Sequence, residues 1–393
     1  MLHRLYFDPG MFGFGRLASY DYFTHLETAL AKRLRGAGDE VLAFVVEVAP
    51  TASVRKRAGK LGELVGRSVA HAGDERGPIH LIGHSTGGLD ARLLASPNAR
   101  IPADPSLLEW MPRLASVTTL NTPHRGTPLA SFFATVSGQR MLYAVSALTF
   151  VGLSVGAPPL AAASGLVMAI SRLDRAVGLE LRVLDRATDG LLRVLDDARS
   201  REVRDYLDAI MQDQGAVLQL SPEAMDLFEA SVFDRPGVRY HSTVSMAPPP
   251  SATRWAKNLL HPWGAISASL FATLFGLTSR SDERYPCASA HTDVATEALL
   301  AHTFGRAPGV RLNDGVVPVR SQLWGELIWA GYADHLDVLG HFGGPKTGHD
   351  PDEPQHVDWL RSGSDFDEAG WNSLVDAIAA GLLRASERFK EHA

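Results

Sequence analysis

Cysteine is almost missing from this chain: Cys287 stands alone among 393 residues. One thiol excludes an internal disulfide and any cysteine-cluster metal centre, and it fits a reducing compartment. A basic excess is missing as well. The chain sets 38 lysines and arginines against 44 aspartates and glutamates, a net charge of −6, which is the wrong sign for a protein that coats nucleic acid. The opening run Met1-Leu2-His3-Arg4-Leu5-Tyr6-Phe7-Asp8 enters a strand-like segment and then Pro9-Gly10. It lacks the charged, apolar and small-residue regions of an export signal, so a cytoplasmic protein is expected.

A clean membrane span is also lacking. Met141 to Ser171 carries no charge, and about 20 apolar residues would cross a bilayer. However, Pro158-Pro159 divides the run, and Gly152, Gly156 and Gly165 weaken it as a helix. Two apolar helices packed over a core are expected instead.

What is present is a globular composition, 45% hydrophobic and 21% charged, at a length that suits two or three domains or one large decorated one. Early in the chain, strand-like runs at Val41–Val48, Ile79–Ile82 and Val117–Leu120 alternate with helical stripes. One stripe is Phe23, Leu26, Leu30 and Leu34 within Tyr22–Leu34, and a second covers residues 55–70. That alternation predicts an α/β fold with a mostly parallel sheet covered on both faces. Arg172–Arg199 places Leu181, Leu184, Thr188, Leu191 and Leu195 on one helical face. A second nearly charge-free stretch spans Pro262–Ser279. α/β character is expected to return around Val238–Val244 and Gly309–Val319, and a last helix near Trp371–Leu383.

The chemistry gathers at Gly83-His84-Ser85-Thr86-Gly87-Gly88, which follows the Ile79–Ile82 run and precedes the helix-forming Leu89–Ala95. A G-x-S-x-G between strand and helix is a nucleophile elbow. Its sharp turn lifts the serine off the sheet and tolerates only small residues two positions to either side. A serine hydroxyl needs a histidine base oriented by a carboxylate, in the chain order serine, acid, histidine. Asp314, in Asn313-Asp314-Gly315-Val316-Val317-Pro318, and His335, in Asp334-His335-Leu336-Asp337, fit that order. His341, His349 and His356 are rival bases, the last two in or beside the polar, proline-rich stretch 343–355. His84 and His124 lie near the elbow in sequence, and His84 is expected to pack into the turn. Acyl transfer also needs donors for an oxyanion. The amide of Thr86 is one candidate, and the glycine-rich loop Asp8–Gly15 supplies another, with Met11 as the choice. That loop lacks the Gly-Lys-Ser/Thr ending of a phosphate cradle.

Taken in order, Gly10-Met11-Phe12-Gly13-Phe14, the Gly-His-Ser-x-Gly-Gly elbow, Thr122-Pro123-His124-Arg125-Gly126, Asn313-Asp314-Gly315 and His335-Leu336-Asp337 resemble the bacterial triacylglycerol lipases. The resemblance is strongest to the branch whose secreted members need a dedicated foldase. It covers residues 5–130 and 217–345, with Leu220–Met225 and Tyr240-His241-Ser242 in similar places. It implies an α/β-hydrolase fold, ester hydrolysis and a mobile helical lid. Ser85, Asp314 and His335 map onto the triad, and Met11 and Thr86 onto the oxyanion hole. The departures are Pro9-Gly10 where the family has histidine and glycine, the single cysteine where this branch often has a disulfide, and an opening run in which no signal peptide of the secreted members is visible. The resemblance also implies a structural calcium held by Asp337, two residues after the histidine. His341 stands where a further amide ligand is typical, and Asp293 is a second acidic candidate by position.

The resulting expectation is an α/β-hydrolase core of residues 1–136 and 236–393, with an apolar insertion near 250–286 and a helical cap over 137–235. The enzyme would cleave lipophilic acyl esters without a required cofactor, and a structural calcium has room in the scheme. Transient contact with a membrane or lipid surface has room in this scheme, and nucleic acid does not. The same triad would serve a polyester depolymerase or a thioesterase. A membrane-associated binding protein on this fold would not need all three triad residues, and halide or epoxide hydrolases of the fold use an aspartate at the elbow.

Overall fold

The strand–helix alternation folds into one six-stranded parallel sheet. Its strands are β1 (Leu2–Asp8), β2 (Glu40–Val45), β3 (Ile79–His84), β4 (Leu114–Leu120), β5 (Arg239–Met246) and β6 (Glu326–Tyr332), in the spatial order β2-β1-β3-β4-β5-β6. The structure is a computed structural model that describes residues 1–11, 16–17, 20–71, 77–155, 189–190, 193, 197–251, 262–280, 287, 292–343 and 358–390. β3 and β4 are buried throughout, whereas the edge strands β2 and β6 are largely part-exposed. Inner parallel strands have both faces covered by helices, so they read as continuous apolar runs.

Alternate residues of β1 serve opposite faces, as pleating requires. Leu5 and Phe7 join Phe23, just before α1 (Thr24–Gly36), Leu26 and Leu30 within it, and Leu374 and Ile378 of the last helix. Tyr6 turns the other way, toward Leu61 and Val65 of α2 (Val54–His71) and Leu94 of α3 (Thr86–Ala95).

Between β4 and β5 the described chain is helical: α4 (Pro128–Phe133), α5 (Val136–Val155), α6 (Asp197–Gln212), α7 (Gly215–Gln219) and α8 (Pro222–Ser231). α5 is the first half of the uncharged run, and its Met141, Leu142, Val145 and Leu148 are buried. The expected second helix of that run, and the Leu181–Leu195 stripe, lie outside the described residues. Among the described residues no helix is long and apolar enough to cross a membrane.

The second apolar stretch is α9 (Pro262–Thr278), which packs on the Asp314 turn: Thr278 Oγ1 donates to Gly315 O at 3.1 Å, and Asn313 Nδ2 to Phe275 O at 3.3 Å. α10 (Val294–Phe304) and α11 (Glu368–Lys390) complete the fold. The expected return of α/β character at Gly309–Val319 takes the form of a turn. Gly309–Val319 forms no strand, only an isolated bridge between Asn313 and Pro318, and the last strand is β6. The turn accounts for this. Asn313 Oδ1 accepts from Gly315 N at 2.8 Å, and Gly315 sits at φ +101°. The backbone is thereby committed to an Asx-turn and cannot join a ladder.

Candidate active site

Ser85 occupies the junction of β3 and α3 at φ 54°, ψ −125°. A non-glycine residue held there costs about 1–3 kcal/mol and persists only where its surroundings enforce it. Ser85 N donates to Leu120 O at 2.9 Å, and Gly88 N to Ser85 O at 3.1 Å. The flanking glycines are steric necessities. A Cβ on Gly83 would lie 2.3 Å from the Gly87 backbone, and one on Gly87 would lie 2.0 Å from Asp8 O. A Cβ on Gly10 would likewise come within 2.6 Å of Ser85 Cβ, so the backbone after β1 presses directly on the nucleophile. Met11 and Thr86 line one small cavity together with Ser85. The rest of its wall is largely apolar, including Leu129, Phe133, Leu220 and Val316. Phe12 to Gly15 lie outside the described residues.

Asp314 and His335 are brought together across the sheet end. His335 Nδ1 lies 2.8 Å from Asp314 Oδ2, and both side chains are buried. Oδ1 of Asp314 accepts from Val316 N (2.9 Å) and Val317 N (2.7 Å), and His335 N donates to Asp314 O. Because a carboxylate only accepts, Nδ1 carries the proton and Nε2 is left as the basic nitrogen. Nε2 is buried and has no hydrogen-bond partner among the described residues.

His84 is not a rival base. Its ring lies 4.6 Å from that of His335, its Nε2–H donates to His335 O (2.8 Å), and its Nδ1 accepts from Tyr22 OH (2.7 Å). Burial, reinforced by the neighbouring His335, pushes its pKa well down. It is a neutral spacer that sets the height of the His335 backbone. His124 is committed to Arg92 and Thr119. His341 is buried edge-on to His25, and His349 and His356 lie outside the described residues.

Arg57 of α2 ties the loop after β1 to the helix after the elbow, and the sequence reading missed it. Its Nε donates to Asp90 Oδ2 (2.7 Å), Nη2 to Asp8 Oδ1 (3.4 Å) and Pro9 O, and Nη1 to Ala49 O and Pro50 O (3.2 and 3.1 Å). All three charged side chains are fully buried. Burial pushes both carboxyls up while Arg57 pulls them down, and the charge of Asp90 adds to the rise at Asp8. A signal was available, because Arg57 stands on the stripe Val54, Ala58, Leu61, Val65 that the helix buries.

Three carboxylates, Asp334, Asp337 and Asp358, lie with ligand atoms within 4.8 Å of one another. Desolvation, then mutual repulsion, raises Asp334 to about 7 and Asp337 well above the usual range. Asp334 Oδ1 holds the amides of Leu336 and Asp337, Asp337 Oδ2 holds that of Asp334, and Asp334 Oδ2 is buried with no hydrogen-bond partner among the described residues. An all-oxygen cluster with an orphaned oxygen fits a hard divalent cation. Asp337 is therefore in the cluster, but Asp293 is not. It caps α10, accepting from Thr296 N and Oγ1, because a helix start claims a nearby aspartate. Asp334 and Asp358 were not anticipated as ligands, and His341 is not a member of the group.

No protein-family model matches the chain. It is 24% identical over 328 residues to a triacylglycerol lipase of Pseudarthrobacter phenanthrenivorans, covering 82% of this chain and 77% of that protein. It is also 24% identical over 328 residues to a triacylglycerol lipase of Burkholderia plantarii, covering 82% of this chain and 69% of that one. Among solved structures, EstA from Clostridium botulinum matches with a TM-score of 0.50 and 19% identity, over 94% of this chain and 87% of that one. The likeness is one of fold, the α/β-hydrolase fold.

Proposed function

We infer that this chain, which belongs to the bacterial lipases of the α/β-hydrolase fold, is a carboxylic-ester hydrolase that cleaves lipophilic acyl esters through Ser85. The observation that carries the site assignment is the buried His335–Asp314 pair, whose free Nε2 belongs to a ring packed on the residue before a strained serine. His335 Nε2 takes the Ser85 proton as Oγ attacks the ester carbonyl, and Asp314 stabilises the imidazolium. The amides of Met11 and Thr86 hold the oxyanion. The proton passes to the departing alkoxide, and water activated by His335 then releases the acyl group. The apolar cavity wall suits the acyl chain.

Residues 137–235 act as a helical cap in this reading, inserted between β4 and β5. Asp334 and Asp337, on the loop that carries His335, and Asp358 from a later segment would hold a calcium ion, whose charge would offset the repulsion among the three carboxylates. Calcium at a hundredfold excess over its Kd is expected to raise stability by about 3 kcal/mol. Thermal melts with and without chelator check this, and Asp358→Asn should abolish the response. Equal melting temperatures with and without calcium in the wild type would remove the site.

The test of function is hydrolysis of chromogenic esters from short to long acyl chains by wild type and Ser85→Ala. Loss of at least about 10³-fold in the variant is expected, and the chain-length optimum separates esterase from lipase. Comparable rates in the two proteins would sink the assignment.

A further inference from the structure

We propose that the side-chain hydroxyl of Thr86 is a third hydrogen-bond donor to the oxyanion, alongside the Met11 and Thr86 amides. This rests on the ester-hydrolase reading and adds a catalytic group to it. Thr86 is wholly buried, and its Oγ1 has no hydrogen-bond partner among the described residues. Buried hydroxyls are nearly always paired, and a bare one calls for a reason. Neighbouring threonines follow the rule: Thr119 donates to His241 O, Thr122 to Leu120 O and Thr127 to Val316 O. Thr86 is the first residue of α3. The usual outlet for a helical threonine, the carbonyl one turn back, therefore falls in β3 and the elbow rather than in a helix.

The residue lines the same cavity as Ser85 and Met11, most of whose remaining lining is apolar. An acceptor for this hydroxyl therefore has to arrive with the substrate. The oxygen that gathers negative charge when Ser85 attacks is held by the amide of Thr86 itself, one side chain's length from Oγ1. The hydroxyl keeps its proton and only rotates toward the oxygen, so no bond to hydrogen is broken. A donor that is bare in the free enzyme and engaged in the tetrahedral intermediate favours the transition state over the ground state. It acts on kcat, with little effect on substrate binding.

Thr86→Val keeps the shape and removes the hydroxyl, and Thr86→Ser restores a hydroxyl. Loss of one oxyanion donor costs about 10²–10³ in kcat where the donor is a principal one. For a third donor, Thr86→Val is expected to lower kcat at least tenfold with KM within twofold. Its melting temperature should equal or exceed that of the wild type, because an unpaired polar atom has been removed. Thr86→Ser should recover most of the lost rate, and phosphonylation of Ser85 by a phosphonate ester should slow in parallel with kcat. A Thr86→Val enzyme with kcat within threefold of wild type, or a Thr86→Ser enzyme as slow as Thr86→Val, overturns the proposal. If Thr86→Val does not fold, Thr86→Ala is judged by the same criteria. A wild type that neither cleaves esters nor takes the phosphonate at Ser85 overturns the underlying function as well. A labelled, active wild type with unaffected variants overturns only the role of Thr86.

Discussion

Asp314→Asn is expected to lower kcat by about four orders of magnitude while leaving the fold and KM nearly unchanged. The size follows from how the carboxylate is held. One oxygen accepts from the amides of Val316 and Val317, and the other takes the Nδ1 proton of His335. Asparagine would keep its carbonyl oxygen toward the two amides, since only that atom can accept. Its NH2 would then face His335 Nδ1, which must accept in turn, moving the ring proton to Nε2. The nitrogen that should receive the Ser85 proton would already carry one. Steady-state kinetics on a soluble ester together with an unfolding curve checks this. A variant with more than about a tenth of wild-type kcat would mean that Asp314 does not orient the base.

Arg57→Met is expected to destabilise the protein by about 3–5 kcal/mol, the cost of breaking a buried charge network from one side. Arg57 has five N–H donors, and the five acceptors it meets come from Asp90, Asp8, Pro9, Ala49 and Pro50. Without it, Asp8 and Asp90 face each other in a site sealed from water, and the Pro9 carbonyl loses its anchor beside Gly10. Because Met11 follows Gly10, activity should also fall in the fraction that remains folded. Urea unfolding at constant m-value measures the loss. Adding Asp90→Asn to Arg57→Met should return part of it, since one buried charge then disappears. If the double variant is less stable than Arg57→Met alone, the repulsion account is wrong. If Arg57→Met loses under 1 kcal/mol, the network contributes no stability.

The correct and the missed readings divide by range. The helix Thr24–Gly36 and the strands Ile79–His84 and Leu114–Leu120 were legible because their apolar periodicity repeats within one element. Asn313 to Pro318 form a turn whose shape Asn313, Asp314 and Gly315 dictate, again through contacts within a few residues. The last strand, Glu326–Tyr332, was passed over although its run is mostly apolar, and the structure makes it a part-exposed edge. Asp293 looked like a ligand by position alone, and a helix start claimed it.

By itself, the sequence determined the elbow and the order of the chemistry. Gly83, Ser85 and Gly87 are dictated by contacts within five residues and with the strand beside them, so a local motif carries the whole steric argument. Asp314 and His335 could be proposed from chain order, but only the folded sheet brings the two side chains within 2.8 Å. Tertiary structure alone decided the rest. It joined Arg57 to Asp8 and Asp90, brought Asp358 to Asp334 and Asp337, and left the Thr86 hydroxyl without an acceptor. Each of these depends on which polar groups lose water together. That is a property of burial across distant segments, and no spacing along the chain records it.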